Sequence, residues 1–344
     1  MIPVDRIAAG KAAERRDLFG ESARQLGMSP AIVEKDFWVC WILKRLFAEP
    51  SLGEHMVFKG GTSLSKVFGL IDRFSEDIDL ILDWRLLGYG TEEGDNPYQT
   101  LRSKTQQHRY NQEMNARAAA FIRDTLLGQL TRLLSFVPSI VAAIDDDDPH
   151  TINVRYPAAF ESAYILPEVR LEIGPLASWV PSSKRTIRAY AAQAFPQVFA
   201  DPVCAVVAID AERSFWEKAT ILHQEAHRPG LIPVRYSRHY YDLYKLASSP
   251  AKVSALSDLE LLKAVVEFKE RFYYASWAHY ETAVPGTFRL APPERQVTAL
   301  ARDYATMSEM FFRDPPKFAD VLEGLSVLER EINALSGDPT ARDR

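Results

Sequence analysis

Two aspartates one residue apart, Asp77 and Asp79, sit in the otherwise apolar run "DIDLIL" (77–82). In an extended strand, residues two apart point to one face, so Asp77 and Asp79 share a face and Ile78 and Leu80 take the other. Carboxylates side by side repel, and burial adds to the cost of their charge. A hard divalent cation resolves the conflict, and Mg2+ accepts few carboxylates while keeping places for water and substrate phosphates. A third acid is legible in "VRLEI" (169–173), where Val169, Leu171 and Ile173 alternate with Arg170 and Glu172. If that strand pairs beside 77–82, Glu172 converges with Asp77 and Asp79 on a metal site suited to phosphoryl chemistry. The plain alternative leaves Arg170 and Glu172 on a solvated sheet face.

Just upstream lies "KGGTS" (59–63). Gly60 and Gly61 let backbone approach a phosphate, and Thr62 or Ser63 caps a helix. A helix N-terminus offers free N–H groups and a positive dipole end to an anion. Gly-Gly alone is a common turn. Followed by a helix and then Asp-Ile-Asp, it points to phosphates and a cation held together.

The elements that position these groups follow from periodicity. "SPAIVEKDFWVCWILKRLF" (29–47) reads as a buried helix, with Ser29 as cap, Pro30 in the first turn and Glu49-Pro50 as its end. "MVF" (56–58) is a short strand, "TSLSKVFGLI" a helix, and "DIDLIL" the next strand. Residues 88–110 are polar and turn-rich, an insertion or mobile loop, and a long helix follows to about Phe136. The acidic run 145–148 is a solvated turn. "TINVRY" and "YILPEVRLEI" are strands, and Pro167 predicts an edge or a bulge in the second. After "VCAVVAID" the pattern is helical, with helices expected at 212–227, 236–248, 257–278, 294–312 and 316–335. This predicts an α+β chain: an α/β domain over 1–200, a helical domain over 201–336 that completes a cleft, and a flexible tail over 337–344.

At 47% hydrophobic and 25% charged, the 344-residue chain has ample material for a core. A net charge of -5 excludes a global basic footprint, so any nucleic-acid contact must come from a local patch. Cys40 and Cys204 lie in apolar runs and read as buried reduced thiols. The N-terminus lacks a signal-peptide core, and no stretch approaches transmembrane length, so a cytoplasmic location is expected. His223, His227 and His239 lack the spacing of a zinc site. "FKERFYYASWAHY" (268–280) mixes cations and aromatics, but at helical spacing it reads as core.

"FKGGTSLSKVFGLIDRFSEDIDL" (58–80) resembles the first motif of the DNA-polymerase-β-like nucleotidyltransferases. More closely, it resembles the abortive-infection toxins of the AbiEii/AbiGii type, with Arg73, Ser75, Asp77 and Asp79 matching their Arg-x-Ser-x-Asp-Ile-Asp pattern. "VEKDFWVCWIL" (33–43) is similar to the family's N-terminal helix, "RSFWEKATILHQEAHR" (213–228) to its second motif, and "RYSRHYYDLYKL" (235–246) to a later one. Coverage is roughly residues 30–250. Relatives often carry Asp where Glu172 stands.

The resemblance implies a nucleotidyltransferase-type mixed sheet with flanking helices and a C-terminal helical domain. It implies transfer of a nucleoside monophosphate from an NTP to a hydroxyl, with Mg2+ held by Asp77 and Asp79. Gly60, Gly61 and Ser63 are then expected on the terminal phosphates, and Glu172 assists a second metal or deprotonates the acceptor. Lys218 resembles a triphosphate ligand, the alternative being a surface pair with Glu217 or Glu225. Arg238 is expected to contact phosphate or acceptor, with Asp242 one turn away as its orienter or a further catalytic residue; the alternative is an intrahelical salt bridge between them. Lys59, Lys66 and Arg73 surround the glycine turn, Arg73 as phosphate clamp or buttress for the acids, Lys66 as a solvated side chain. The resemblance further implies the toxin of a toxin–antitoxin pair, a cognate antitoxin encoded nearby, and the tRNA 3′ end as candidate acceptor. Two other functions stay open: nucleotidylation of a small molecule or protein, and a non-catalytic module that binds nucleotide or a partner.

Overall fold

The computed structural model describes residues 1–90, 96–98, 102–162 and 165–335. The expected tail from 337 onward and part of the turn-rich 88–110 stretch lie outside these residues. The chain divides into two compact units, Met1–Gly69 with Phe74–Ile209, and Leu70–Arg73 with Asp210–Arg344.

Among the described residues, the first unit carries β1 Met56–Lys59, β2 Ile78–Leu82, β3 Val141–Ile144, β4 Thr151–Arg155, β5 Glu168–Gly174, β6 Ser182–Ile187 and β7 Cys204–Ile209. They form one sheet in the order β3-β4-β5-β2-β1-β7-β6. β1 runs parallel to β7 and β2 parallel to β5, and the other neighbours are antiparallel, so the sheet is mixed. Its helices are α1 Val4–Ala8, α2 Ala12–Leu26, α3 Pro30–Ala48, α4 Pro50–Gly53, α5 Gly60–Lys66, α6 Lys104–Phe121, α7 Leu127–Leu134 and α8 Tyr190–Ala194.

The helix expected near 29–47 is α3, with Ser29 as cap and Pro30 opening it. It is buried continuously from Ala31 to Leu43 because it packs against α2, α7, α8, β5 and β7. The two-residue period of β2 sorts its side chains as expected. Ile78, Leu80 and Leu82 join Phe58 in the main core with Trp38 and Trp41. On the other face Ile81 meets Val57 and Ile209. Each such fully buried aliphatic or aromatic side chain contributes about 1.5–3 kcal/mol relative to exposure.

The structure departs from the sequence reading at several elements. Pro167 does not mark an edge: it precedes β5, which lies between β4 and β2, and its carbonyl accepts the Tyr156 N–H. β3 and β6, both edge strands, and α1, α2 and α8 have no counterpart in that reading. β6 is mostly solvated, with Lys184 and Arg185 exposed, so it shows little apolar alternation. The helix after the glycine turn stops at Lys66 rather than near Ile71. Cys40 and Cys204 are free, buried thiols.

The second unit is helical: α9 Ala211–Ala226, α10 Ser237–Ala247, α11 Pro250–Ser257, α12 Leu259–Phe272, α13 Glu294–Ala305 and α14 Phe318–Asn333. α9 packs against α10, α11 and α12, and α10 against α13 and α14. Phe215, Trp216, Leu222, Tyr240, Leu243 and Phe288 are fully buried there. The helix expected over 257–278 is α12, which stops at Phe272 and is capped by Asp258, whose carboxylate accepts the Leu261 N–H; α11, just before it, has no counterpart in the sequence reading. Residues 70–73 belong to this unit because Arg73 bridges to Phe311 and the Asp72 carbonyl accepts the Phe312 N–H.

Candidate active site

In the first unit, β1 ends at Lys59 and the chain turns at Gly60, whose φ of +81° lies in the left-handed region. That turn has a packing reason as well as a conformational one. A Cβ on Gly60 would stand 1.8 Å from Asp79 Oδ2 and 2.6 Å from its Cγ, so the aspartate side chain occupies the space above the glycine. The register fixes this approach, because Lys59 pairs with Asp79 across β1 and β2. The next residues tie the turn to the acids again: Thr62 is buried and its Oγ1 donates to the Asp77 carbonyl at 2.5 Å. Ser63 is also buried.

Asp77 stands immediately before β2, and Asp79 is its second residue. Burial pushes the Asp77 carboxyl up, and the neighbouring Glu76 and Asp79 push it further, against Lys35 and Arg170. This is a crowded pair of hard oxygen donors that a divalent cation would neutralise, and the donor chemistry fits Mg2+. Glu172 pairs in register with Asp79 on adjacent parallel strands, which puts both on one sheet face. Glu172 is exposed, and its neighbour Arg170 donates to Asp145 at 2.8 Å instead of lying free on that face. Among the described residues no group of three or more His, Cys, Asp or Glu side chains stands close enough to hold a metal ion. The acids the fold brings together are Asp77 and Asp79 at the start of β2, with Glu172 in register beside Asp79.

The second unit builds a different cluster. Asp242 on α10 is fully buried and receives three charge-assisted hydrogen bonds. Arg73 donates through Nε to Oδ1 at 2.7 Å and through a terminal nitrogen to Oδ2 at 2.8 Å, a bidentate geometry. Lys218 on α9 donates to Oδ2 at 2.7 Å. Lys218 Nζ also lies 3.2 Å from His239 Nδ1, and its side chain is 12% exposed. Although burial opposes its charge, the two cations hold the Asp242 carboxyl well below the usual range. Burial lowers the proton affinity of Lys218 more than Asp242 restores it, and Arg73 and Arg238 lower it further. Desolvation first, then the Lys218 ammonium and Arg238, hold the half-buried His239 neutral.

These contacts revise four expectations. Asp242 does not pair with Arg238, which is half-buried on α10; its partners are Arg73 and Lys218. The Arg73 guanidinium, placed by sequence as a phosphate clamp or a buttress of the acids, is bound to Asp242. Lys218 is no surface pair: Glu217 pairs with Arg213 and Glu225 with Arg228. Lys66 is not solvated. Its ammonium is buried 2.7 Å from Asp36 and 3.6 Å from the centroid of Tyr190. Each revision has one cause. A buried charge needs a partner, and the partner comes from a segment that local spacing does not reveal. His239, which the sequence reading considered only as a zinc ligand, accepts from Lys218 and sits in the 235–246 stretch beside Arg238.

The chain was compared with known proteins. The family described as nucleotidyl transferase AbiEii toxin, type IV toxin–antitoxin system, matches residues 41–324. Among solved structures, MenT4, a nucleotidyltransferase toxin from Mycobacterium tuberculosis H37Rv, is similar in fold. The TM-score is 0.51 at 15% identity, over 94% of this chain and 95% of that one. No curated protein sequence matches.

Proposed function

The chain belongs to the AbiEii family of nucleotidyltransferase toxins of type IV toxin–antitoxin systems, and from that premise we propose that it transfers a nucleoside monophosphate from an NTP to an acceptor hydroxyl with Mg2+. The acceptor oxygen bonds to the α-phosphorus, the bond to the bridging oxygen breaks, and pyrophosphate leaves. The observation that carries this reading is the packing of Asp79 onto Gly60, with Thr62 bound to the Asp77 carbonyl. It joins the phosphate-approach turn and the acid pair into one rigid piece.

In this reading Asp77 and Asp79 hold Mg2+, which when bound neutralises charge on the NTP and makes pyrophosphate a better leaving group. Gly60 and Gly61 let phosphate oxygens approach backbone N–H groups, and Lys59 adds positive charge. Glu172, exposed beside Asp79, is the candidate to take the proton from the acceptor hydroxyl. Lys218 and Arg238 supply positive charge to the triphosphate. Asp242 and Arg73 orient Lys218, whose ammonium is fixed by Asp242 on one side and His239 on the other. The candidate acceptor is the tRNA 3′ end, and the family implies an antitoxin partner. Incubation with each labelled NTP, Mg2+ and total RNA tests the proposal. Label in tRNA is the expected result. Label in protein or a small molecule would redirect the acceptor, and no label under any NTP would leave a binding module.

A further inference from the structure

α3 carries three charged residues in succession, Glu34, Lys35 and Asp36, within its buried stretch from Ala31 to Leu43, which is otherwise apolar. Their exposures are 1%, 3% and 2%. Successive helix positions point about 100° apart, so the three reach three directions. Each ends on a different segment. Glu34 accepts the Ala159 N–H at 2.8 Å and the Phe160 N–H at 3.0 Å. Lys35 donates to Glu76 Oε2 at 2.6 Å. Asp36 accepts the Tyr190 N–H at 2.6 Å and pairs with Lys66 at the end of α5. Apolar residues of similar volume would stabilise a buried helix as well or better, so stability alone does not account for three consecutive ions. What a buried ion pair adds is a fixed geometry between segments distant in sequence.

The Lys35 contact stands apart because Glu76 is joined directly to Asp77. We propose that Lys35 is a positioning residue for the acid pair: by holding Glu76 it fixes the segment that enters β2 and so sets where the Asp77 carboxylate lies. Asp36 does the same for the other wall, since Lys66 closes the helix that begins at Gly60. α3 thus holds the glycine turn and the acid strand at a set separation. This inference rests on the reading of Asp77 and Asp79 as the metal-holding pair.

Charge and geometry give opposite signs, and that makes the inference testable. Removing a cation beside two carboxylates should, by charge alone, tighten a divalent cation; losing the position of Asp77 should loosen it. The probe is Mn2+ alone, titrated into the full chain and read by electron paramagnetic resonance, with circular dichroism melts alongside. Lys35→Met is the variant in which the two signs oppose, and weaker Mn2+ binding there is the result expected if position decides; Lys35→Met/Glu76→Leu, which removes both ions and leaves the pair's net charge unchanged, accompanies it so that no uncompensated charge stays on Glu76. The expected result is a folded double variant whose Kd for Mn2+ rises about 10- to 100-fold. Lys35→Arg/Glu76→Asp, which exchanges reach between the partners, should stay within about threefold of the parent. A folded double variant that binds Mn2+ like the parent would overturn the inference, and so would tighter binding. Asp77→Asn is the control: if it binds Mn2+ as well as the parent, the reading of the acid pair fails and the inference falls with it.

Discussion

Gly60→Ala tests the packing that unites the turn with the acids. Two costs add. The left-handed φ of +81° costs an L-residue about 1–2 kcal/mol. The new Cβ would meet Asp79 Oδ2 at 1.8 Å, so the carboxylate must leave its rotamer, at about 0.5–1.5 kcal/mol. The expected loss is about 1.5–3.5 kcal/mol, and with about 2–4 °C per kcal/mol for a unit of this size Tm should fall about 3–14 °C. Because an ångström-scale displacement of a reacting group costs about 100-fold in rate, kcat should drop at least that much. A double-mutant cycle isolates the contact. Asp79→Ala removes the carboxylate and leaves only its Cβ, 3.1 Å from where the new methyl on Gly60 would stand. In that background Gly60→Ala should cost only the backbone strain, giving a coupling of about 1 kcal/mol from urea unfolding. Costs that add to within about 0.3–0.5 kcal/mol would refute the steric argument and reduce Gly60 to a turn residue.

Two other outcomes are expected. Lys218→Ala should weaken NTP binding about 10- to 150-fold by calorimetry, the worth of one charge-assisted phosphate contact. An unchanged Kd would make Lys218 solely a structural partner of Asp242. His223 concerns stability against pH: it is fully buried, its Nδ1 accepts the Arg289 N–H, and Nε2 faces the His279 carbonyl. Burial pushes its pKa down to about 4, outweighing the His279 carbonyl. The folded value lies below the unfolded one, so its contribution is fully present above about pH 6.5 and is lost as pH falls toward 4, on the order of 3 kcal/mol. Denaturant midpoints should decline over that window, and less steeply in His223→Gln; an equal slope would assign the decline to other groups.

The local chemistry of this protein was legible in its sequence. Period-two alternation put Asp79 opposite the core face of Ile78 and Leu80, and the structure keeps that division. Ser29, Pro30 and the Glu49-Pro50 step bounded α3. The AbiEii resemblance was carried by "KGGTS", "DIDL" and the motifs after 213, because backbone conformation and metal chemistry constrain residue types within a few positions. Tertiary structure decided the partners. Arg73 could be placed near the glycine turn by sequence, yet its guanidinium is bound to Asp242, 169 residues away. Lys66 reads as a surface charge on a helix, and nothing local says what meets Glu34, Lys35 and Asp36 inside a buried one; only the segments folded around them make their burial tolerable. Edge strand β6 escaped for the complementary reason. Its pairing is supplied by β7 rather than by an apolar pattern of its own. Spacing along a chain reports which face a residue shares with its near neighbours. It does not report which distant charge will meet it, and for an ion taken out of water that meeting decides whether it can be buried at all.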